Sequence, residues 1–196
     1  MGRIVLASQS PRRRELLEQM GIVDFDVMPA YGGEEMNAPL RPRELVEQLA
    51  YAKAREVSAL TEPSALVIAA DTVVVLEGQV LGKPKNRQQA VEMLTALSGK
   101  THQVYTGVVL MRGERVSVGS ECTDVTFRRL EPWEIQGYAD TGESMDKAGA
   151  YGIQGRGALL VSGIRGDYFN VVGLPVCRLG QMLRQFGIET LFSTES

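Results

Sequence analysis

The sequence predicts an α/β protein with a mixed sheet, on three observations. Runs that are apolar at every position, such as Ile4 to Ala7 and Ala65 to Ala70, mark strands covered on both faces. They alternate along the chain with segments whose apolar residues recur at helical spacing, as Leu45, Val46, Leu49, Ala52 and Val57 do. Two long segments flanking Gly113-Glu114 read as an antiparallel hairpin, so the sheet is not wholly parallel.

The first strand, Ile4 to Ala7, leads into a helix opened by Ser10 and Pro11. Serine can cap the orphan amides of a first turn, and proline at the first helical position is already set at a helical φ. This helix carries Leu16, Leu17 and Met20 on one face and stops at Gly21. Phe25 to Pro29 reads as a second strand and the polar segment Ala30 to Pro42 as a loop, before a second helix over Arg43 to Ser58. Ala65 to Ala70 is a buried strand ending on Asp71 and Thr72, with Val73 to Leu76 continuing it and Glu77-Gly78 turning the chain. After Gly82-Lys83-Pro84 the pattern predicts a helix over Arg87 to Leu97, capped by Asn86 and closed by Ser98-Gly99. His102 to Arg112 and Arg115 to Arg129 form the hairpin, and Pro132 to Asp140 a further helix. Lys147 to Gly157 is glycine-rich, Ala158 to Val161 reads as a strand, and Pro175 to Phe186 as the closing helix. No repeat, low-complexity tract or linker divides the chain, so residues 1–196 read as one domain.

Composition agrees. The chain has 196 residues, 44% hydrophobic and 23% charged. A chain of this size hides roughly 70% of its unfolded surface and needs no disulfide or structural metal to hold a core. A net charge of −3 argues against coating nucleic acid, whose binders are usually basic domains. Cys122 and Cys177 stand far apart without C-x-x-C spacing, which suggests neither a zinc site nor a disulfide framework. The apolar run near the N-terminus is too short for a signal-peptide core of about 7 to 15 residues, and no run approaches the ~18 of a membrane span. The expected location is the cytoplasm.

Local rules break at a few places, which is where functional residues are expected. Ser8-Gln9-Ser10-Pro11-Arg12-Arg13-Arg14 puts three arginines at the positive end of a helix dipole, each unfavourable by roughly 0.3–1 kcal/mol. An anion bound at this turn reverses that sign, with amides, hydroxyls and guanidinium forks converging on phosphate oxygens. The alternative is a solvated basic turn, and Arg14 is the one of the three best placed to be merely exposed. Asp71 ends an apolar strand, where open α/β sheets bind ligands, and Thr72 adds a hydroxyl; the alternative is a turn aspartate satisfying nearby amides. Lys83, in a rigid turn, and Lys53, on the inward-leaning side of the second helix near Leu49 and Ala52, can act as point charges on phosphate or as surface lysines covering apolar neighbours. Glu34 and Glu35 follow the second strand and supply hard oxygen suited to Mg²⁺ or Mn²⁺, or are two solvated loop acids. In the glycine-rich segment, Lys147 and Gln154 accompany backbone that can approach a ligand closely, and the Gln154 amide can read a base edge; a plain turn is the alternative. His102, the lone histidine, has no serine or cysteine partner and reads as structural, so nucleophilic catalysis is poorly supported.

Taken in order, Ser8-x-Ser10-Pro11-Arg12-Arg13, the Glu35 loop, Lys53, Asp71-Thr72, Gly82-Lys83-Pro84, Ser98-Gly99-x-Thr101-His102, the segment Lys147 to Gly155 and Asn170 to Pro175 resemble the Maf family of nucleoside triphosphate pyrophosphatases over almost the whole chain. The resemblance implies an elongated mixed β-sheet with flanking helices and a deep cleft between two lobes, like that of the inosine triphosphate pyrophosphatases. It also implies hydrolysis of a nucleoside triphosphate to the monophosphate and pyrophosphate with a divalent cation (Mg²⁺, Mn²⁺ or Co²⁺), and a homodimer. Arg12, Thr72 and Gln154 are similar to those of the branch acting on dTTP and UTP, and the resemblance favours Glu35 over Glu34 as the metal ligand.

On that basis water is expected to attack the α-phosphorus with Asp71 as general base and, with Glu35, metal ligand. Arg12, Arg13, Lys53 and Lys83 are expected to neutralise the triphosphate while the Ser8 to Ser10 turn fixes its tail. Lys53 and Lys83 thus count with Asp71 as catalytic, and Ser8, Ser10, Arg12, Arg13, Thr72, Lys147 and Gln154 as substrate-binding. The rival reading is a nucleotide-binding regulator of cell division without turnover, which leaves Asp71 without a task. Partners beyond the nucleotide are expected to include neither nucleic acid nor membrane.

Overall fold

The computed structural model describes residues 2–31 and 40–189. The chain divides into two compact units, one comprising Met1–Asp71, Thr106–Glu121 and Gly173–Ser196, the other Thr72–Tyr105 and Cys122–Val172. Among the described residues seven strands, β1 (Ile4–Leu6), β2 (Asp26–Val27), β3 (Leu66–Leu76), β4 (Gln79–Leu81), β5 (Thr101–Arg112), β6 (Arg115–Phe127) and β7 (Val161–Arg165), are interspersed with six α-helices. The helices are α1 (Pro11–Gln19), α2 (Pro42–Ser58), α3 (Arg87–Leu97), α4 (Pro132–Asp140), α5 (Tyr168–Val172) and α6 (Val176–Gln185). Strands pair in the order β2-β1-β3-β5-β6-β7, with β4 added to β3. Strand β1 lies parallel to β2 and to β3, whereas β4 is antiparallel to β3 and β7 to β6, so the sheet is mixed as the sequence predicts.

In the first unit the core is built mostly of small and β-branched residues: Val5, Val67, Ala69, Val109 and Met111 of the strands, with Ala7 just beyond β1, meet Ala50, Ala54 and Val57 of α2. Their small side chains let the helix lie close on the sheet. At Gly107 of β5 the approach is closest, since a Cβ there would sit 2.3 Å from the Val46 carbonyl oxygen. In the second unit α3 and α4 bury Leu94, Leu97, Ile135 and Tyr138 against Phe127, Val125 and Tyr151. The N-terminus of α4 is fixed by Glu134, which accepts the Glu131 N–H at 2.9 Å and pairs with Arg128 at 2.6 Å. The Arg128 hydrogen bond, reinforced by the Glu131 amide, holds the Glu134 carboxyl well below the usual range, at about 2. Asn86 caps α3 as expected, its side chain accepting the Gln89 N–H at 2.9 Å.

The structure corrects the sequence in three places and adds two short elements. Ser10 makes no side-chain cap on α1; instead its own N–H donates to Ser8 Oγ at 3.2 Å. Asp71 does not end a strand, because β3 runs unbroken from Leu66 to Leu76. Residues 158–160 belong to a 3₁₀ turn, Gly155–Leu160, and the last strand begins only at Val161. Both conformations bury a short apolar run, and periodicity over four residues does not separate them. Strand β4 and helix α5, at three and five residues, are too short to show a period. Cys122 and Cys177 are free thiols, and no helix among the described residues is long and apolar enough to cross a membrane.

Candidate active site

Strand β3 is buried at nine of its eleven positions, and the two that open to solvent are Asp71 and Thr72. Asp71 is met there by Lys53. On α2 the residues Val46, Leu49, Ala50, Lys53, Ala54 and Val57 share one face at i, i+3, i+4 spacing, so Lys53 is a lysine set into an apolar stripe. Its Nζ donates to Asp71 Oδ1, and both side chains are only 17% exposed. The pair is removed from most of the water that would screen it, and removing either partner leaves a charge in a poorly solvated place.

The Ser8 to Arg13 turn forms a second network in the same unit. Arg13 Nε donates to the Gly173 carbonyl at 2.7 Å and Nη1 donates to Ser8 Oγ at 3.1 Å, the same oxygen that accepts the Ser10 N–H. Burial pushes the Arg13 guanidinium below its ordinary pKa; the charge of Asp71 works against that shift and the charge of Arg12 adds to it. Arg13 and Asp71 therefore lie within electrostatic reach of each other. Arg12 is half-buried beside it, whereas Arg14 is exposed and pairs with Glu18 one turn on at 3.0 Å. No acidic residue occupies the first turn of α1, so the cations meet the helix dipole there unopposed by a carboxylate of that turn.

The second unit holds the remaining expected residues. Thr72 is half-buried and Lys83 is exposed, in a turn whose Gly82 carbonyl accepts the Gly149 N–H at 3.0 Å. Lys147 turns back on its own segment: Nζ donates to the Glu143 carbonyl and to Asp146 Oδ1, each at 2.6 Å. Gln154 is exposed. His102 is structural, fully buried with Nε2 2.7 Å from the Tyr151 hydroxyl, and burial lowers its pKa to about 4. Glu34 and Glu35 lie outside the described residues. Tyr138 stands outside every motif the sequence offers, while Tyr151 and Gly173 figure there only as members of the segments Lys147 to Gly155 and Asn170 to Pro175, with no role of their own. For Gly173 the only signal is its place in the segment Asn170 to Pro175, since a carbonyl acceptor carries no side-chain signature.

Fold and site together define a mixed α/β protein that sets cationic side chains near a carboxylate where a buried strand opens to solvent, an arrangement suited to a polyanionic ligand. The chain belongs to the Maf family, whose model, described as Maf-like protein, matches residues 3–186. A Moorella thermoacetica protein described as dTTP/UTP pyrophosphatase is 54% identical over 192 residues, spanning 96% of this chain and 97% of the relative. A Bacillus pumilus protein of the same description is 50% identical over 188 residues, spanning 96% of this chain and 98% of the relative. Among solved structures, a nucleoside-triphosphatase / dITP/XTP pyrophosphatase from Mycobacterium abscessus aligns at 15% identity with a TM-score of 0.45, covering 94% of this chain and 97% of its own.

Proposed function

We propose that this protein hydrolyses dTTP and UTP to the nucleoside monophosphate and pyrophosphate. The observation that carries the reading is the Lys53–Asp71 pair at the opening of β3, within electrostatic reach of Arg13. Relatives bearing the dTTP/UTP pyrophosphatase description over nearly their whole length support the substrate class.

In this reading Asp71 accepts a proton from water as its oxygen attacks the α-phosphorus. The bond from that phosphorus to the bridging oxygen breaks, and pyrophosphate leaves. Lys53 orients the carboxylate. Arg12, Arg13 and Lys83 offset the charge that gathers on the leaving group, and Ser8 and Ser10 hold the phosphate tail. Thr72, Lys147 and Gln154 serve the nucleoside, Gln154 at the base edge.

A divalent cation suits the hard carboxylate oxygen of Asp71, which stands where β3 opens to solvent. Among the described residues no group of three or more His, Cys, Asp or Glu comes together, so Asp71, with Glu35 as expected from the sequence, would give the cation few protein oxygens and leave the rest of its shell to phosphate and water. Bound there, the cation would supply charge neutralisation to the phosphates. The reading places the protein in the cytoplasm as a homodimer that binds no nucleic acid.

Pyrophosphate release from UTP and dTTP, measured against the other natural triphosphates with Mg²⁺, Mn²⁺ and Co²⁺, tests it. Release from both pyrimidine nucleotides supports the assignment, whereas nucleotide binding without release returns the protein to a regulator.

A further inference from the structure

The glycine-rich segment is held more firmly than its composition suggests, and one hydroxyl sits at the point where its loop closes. Tyr138, on the buried face of α4, is 6% exposed. Its Oη accepts the Gly152 N–H at 3.2 Å. The chain then loops out through Gln154 and returns at Gly157, where a Cβ would lie 1.9 Å from the Gly152 carbonyl oxygen and 2.9 Å from the Tyr138 hydroxyl. The loop is thus closed at its neck, glycine against backbone, on the Tyr138 hydroxyl.

The residue before the neck is anchored as well. The Tyr151 ring enters the core, with its centroid 4.7 Å from that of Phe127 and 5.3 Å from that of His102, edge to face in both cases. Its hydroxyl meets His102 Nε2 at 2.7 Å. Further back, Gly149 at φ 68° and Ala150 at φ 62° hold left-handed backbone, a conformation a non-glycine residue keeps only where its surroundings impose it. Helix α4, which carries Tyr138, is fixed at its start by Arg128 and Glu134. Only the tip of the loop, Gln154 with Gly155 and Arg156, is exposed.

We propose that Tyr138 is a positioning residue for base selection: its hydroxyl closes the neck of the Gly152–Gly157 loop and so fixes where Gln154 presents its amide. The proposal rests on the nucleotide reading above and adds to it a residue remote from the reacting atoms. A tip carried on a closed neck loses little freedom when it meets a base, so the neck contributes to affinity without touching the ligand. Phosphate binding draws on other side chains and is independent of it.

The test is Tyr138→Phe, which keeps the buried ring and removes the hydroxyl. On a panel of natural triphosphates KM for the preferred base rises about 3- to 10-fold, the net worth of one hydrogen bond, while kcat stays within about 2-fold. Discrimination against the other bases falls by the same factor, and inhibition by inorganic tripolyphosphate, which has no base, is unchanged. Hydrogen exchange at the Gly152 amide speeds up. In a Gln154→Ala background the Tyr138→Phe change adds nothing further to KM, since the two act in series.

Unchanged selectivity in an active Tyr138→Phe enzyme overturns the positioning role and leaves the function standing. So does an equal loss on every triphosphate with weakened tripolyphosphate inhibition, the signature of general structural damage. A wild-type protein that releases pyrophosphate from no triphosphate overturns the function, and the positioning with it.

Discussion

Arg13 donates from Nε to the carbonyl of Gly173, a residue 160 positions later in the chain, and from Nη1 to Ser8 Oγ. A guanidinium can make both bonds at once because its donors form a rigid fork, which an ammonium lacks. Arg13→Lys keeps the charge and loses the fork. The expected result is a rise in KM for the triphosphate of about 10-fold with a smaller change in kcat, read from steady-state pyrophosphate release.

Asp71→Asn keeps the size of the side chain and an oxygen for Lys53 but removes the proton acceptor. Nucleotide binding, followed by calorimetry, should stay largely intact while kcat falls on the order of 10²-fold or more. Near-normal turnover in this variant means that another group takes the proton.

Stability should depend on pH through His102, the only histidine in the chain. Its Nδ1 is buried with no hydrogen-bond partner among the described residues, so a proton added there would have nowhere to donate. The folded pKa of about 4 lies below the ordinary 6.5, so between these values the unfolded chain takes up a proton that the folded chain refuses. Stability is therefore full above about pH 6.5, falls as the pH drops toward 4, and loses on the order of 3 kcal/mol to this group by the end of that window. Urea unfolding at pH 7, 6 and 5 should show the slope, and His102→Gln should flatten it. An imidazole that titrates near 6.5 in the folded protein by NMR would contradict the account.

Gly107→Ala places a methyl 2.3 Å from the Val46 carbonyl oxygen and 2.8 Å from the Glu47 nitrogen, both backbone atoms of α2. The helix has to move away from β5, at a cost of about 1–3 kcal/mol. Because α2 carries Lys53, kcat should drop together with the unfolding midpoint, whereas a surface change such as Arg14→Ala should alter neither.

Much of this was legible one residue at a time. Lys53 in an apolar stripe and the arginines at a helix start announce themselves because each violates a local preference. His102 reads correctly for the opposite reason, having no serine or cysteine to activate. Contacts between distant segments were not legible: neither the Arg13 fork on Gly173 nor the Tyr138 hydroxyl on Gly152 leaves a trace in spacing. Asp71 was found but misplaced, because a charged residue in an apolar run looks like its end, whereas the ladder of β3 continues through it. The strand expected at Ala158 begins three residues late because Gly155 and Gly157 allow a tight 3₁₀ turn first.

Successive side chains of a strand face opposite ways, so on β3 Asp71 and Thr72 look to different sides although one peptide bond joins them. A mutation at 72 acts on a side chain directed away from the one that Lys53 pairs with. On the proposed roles, a codon change at 72 is read in nucleoside choice and one at 71 in turnover, so the two assignments are tested separately.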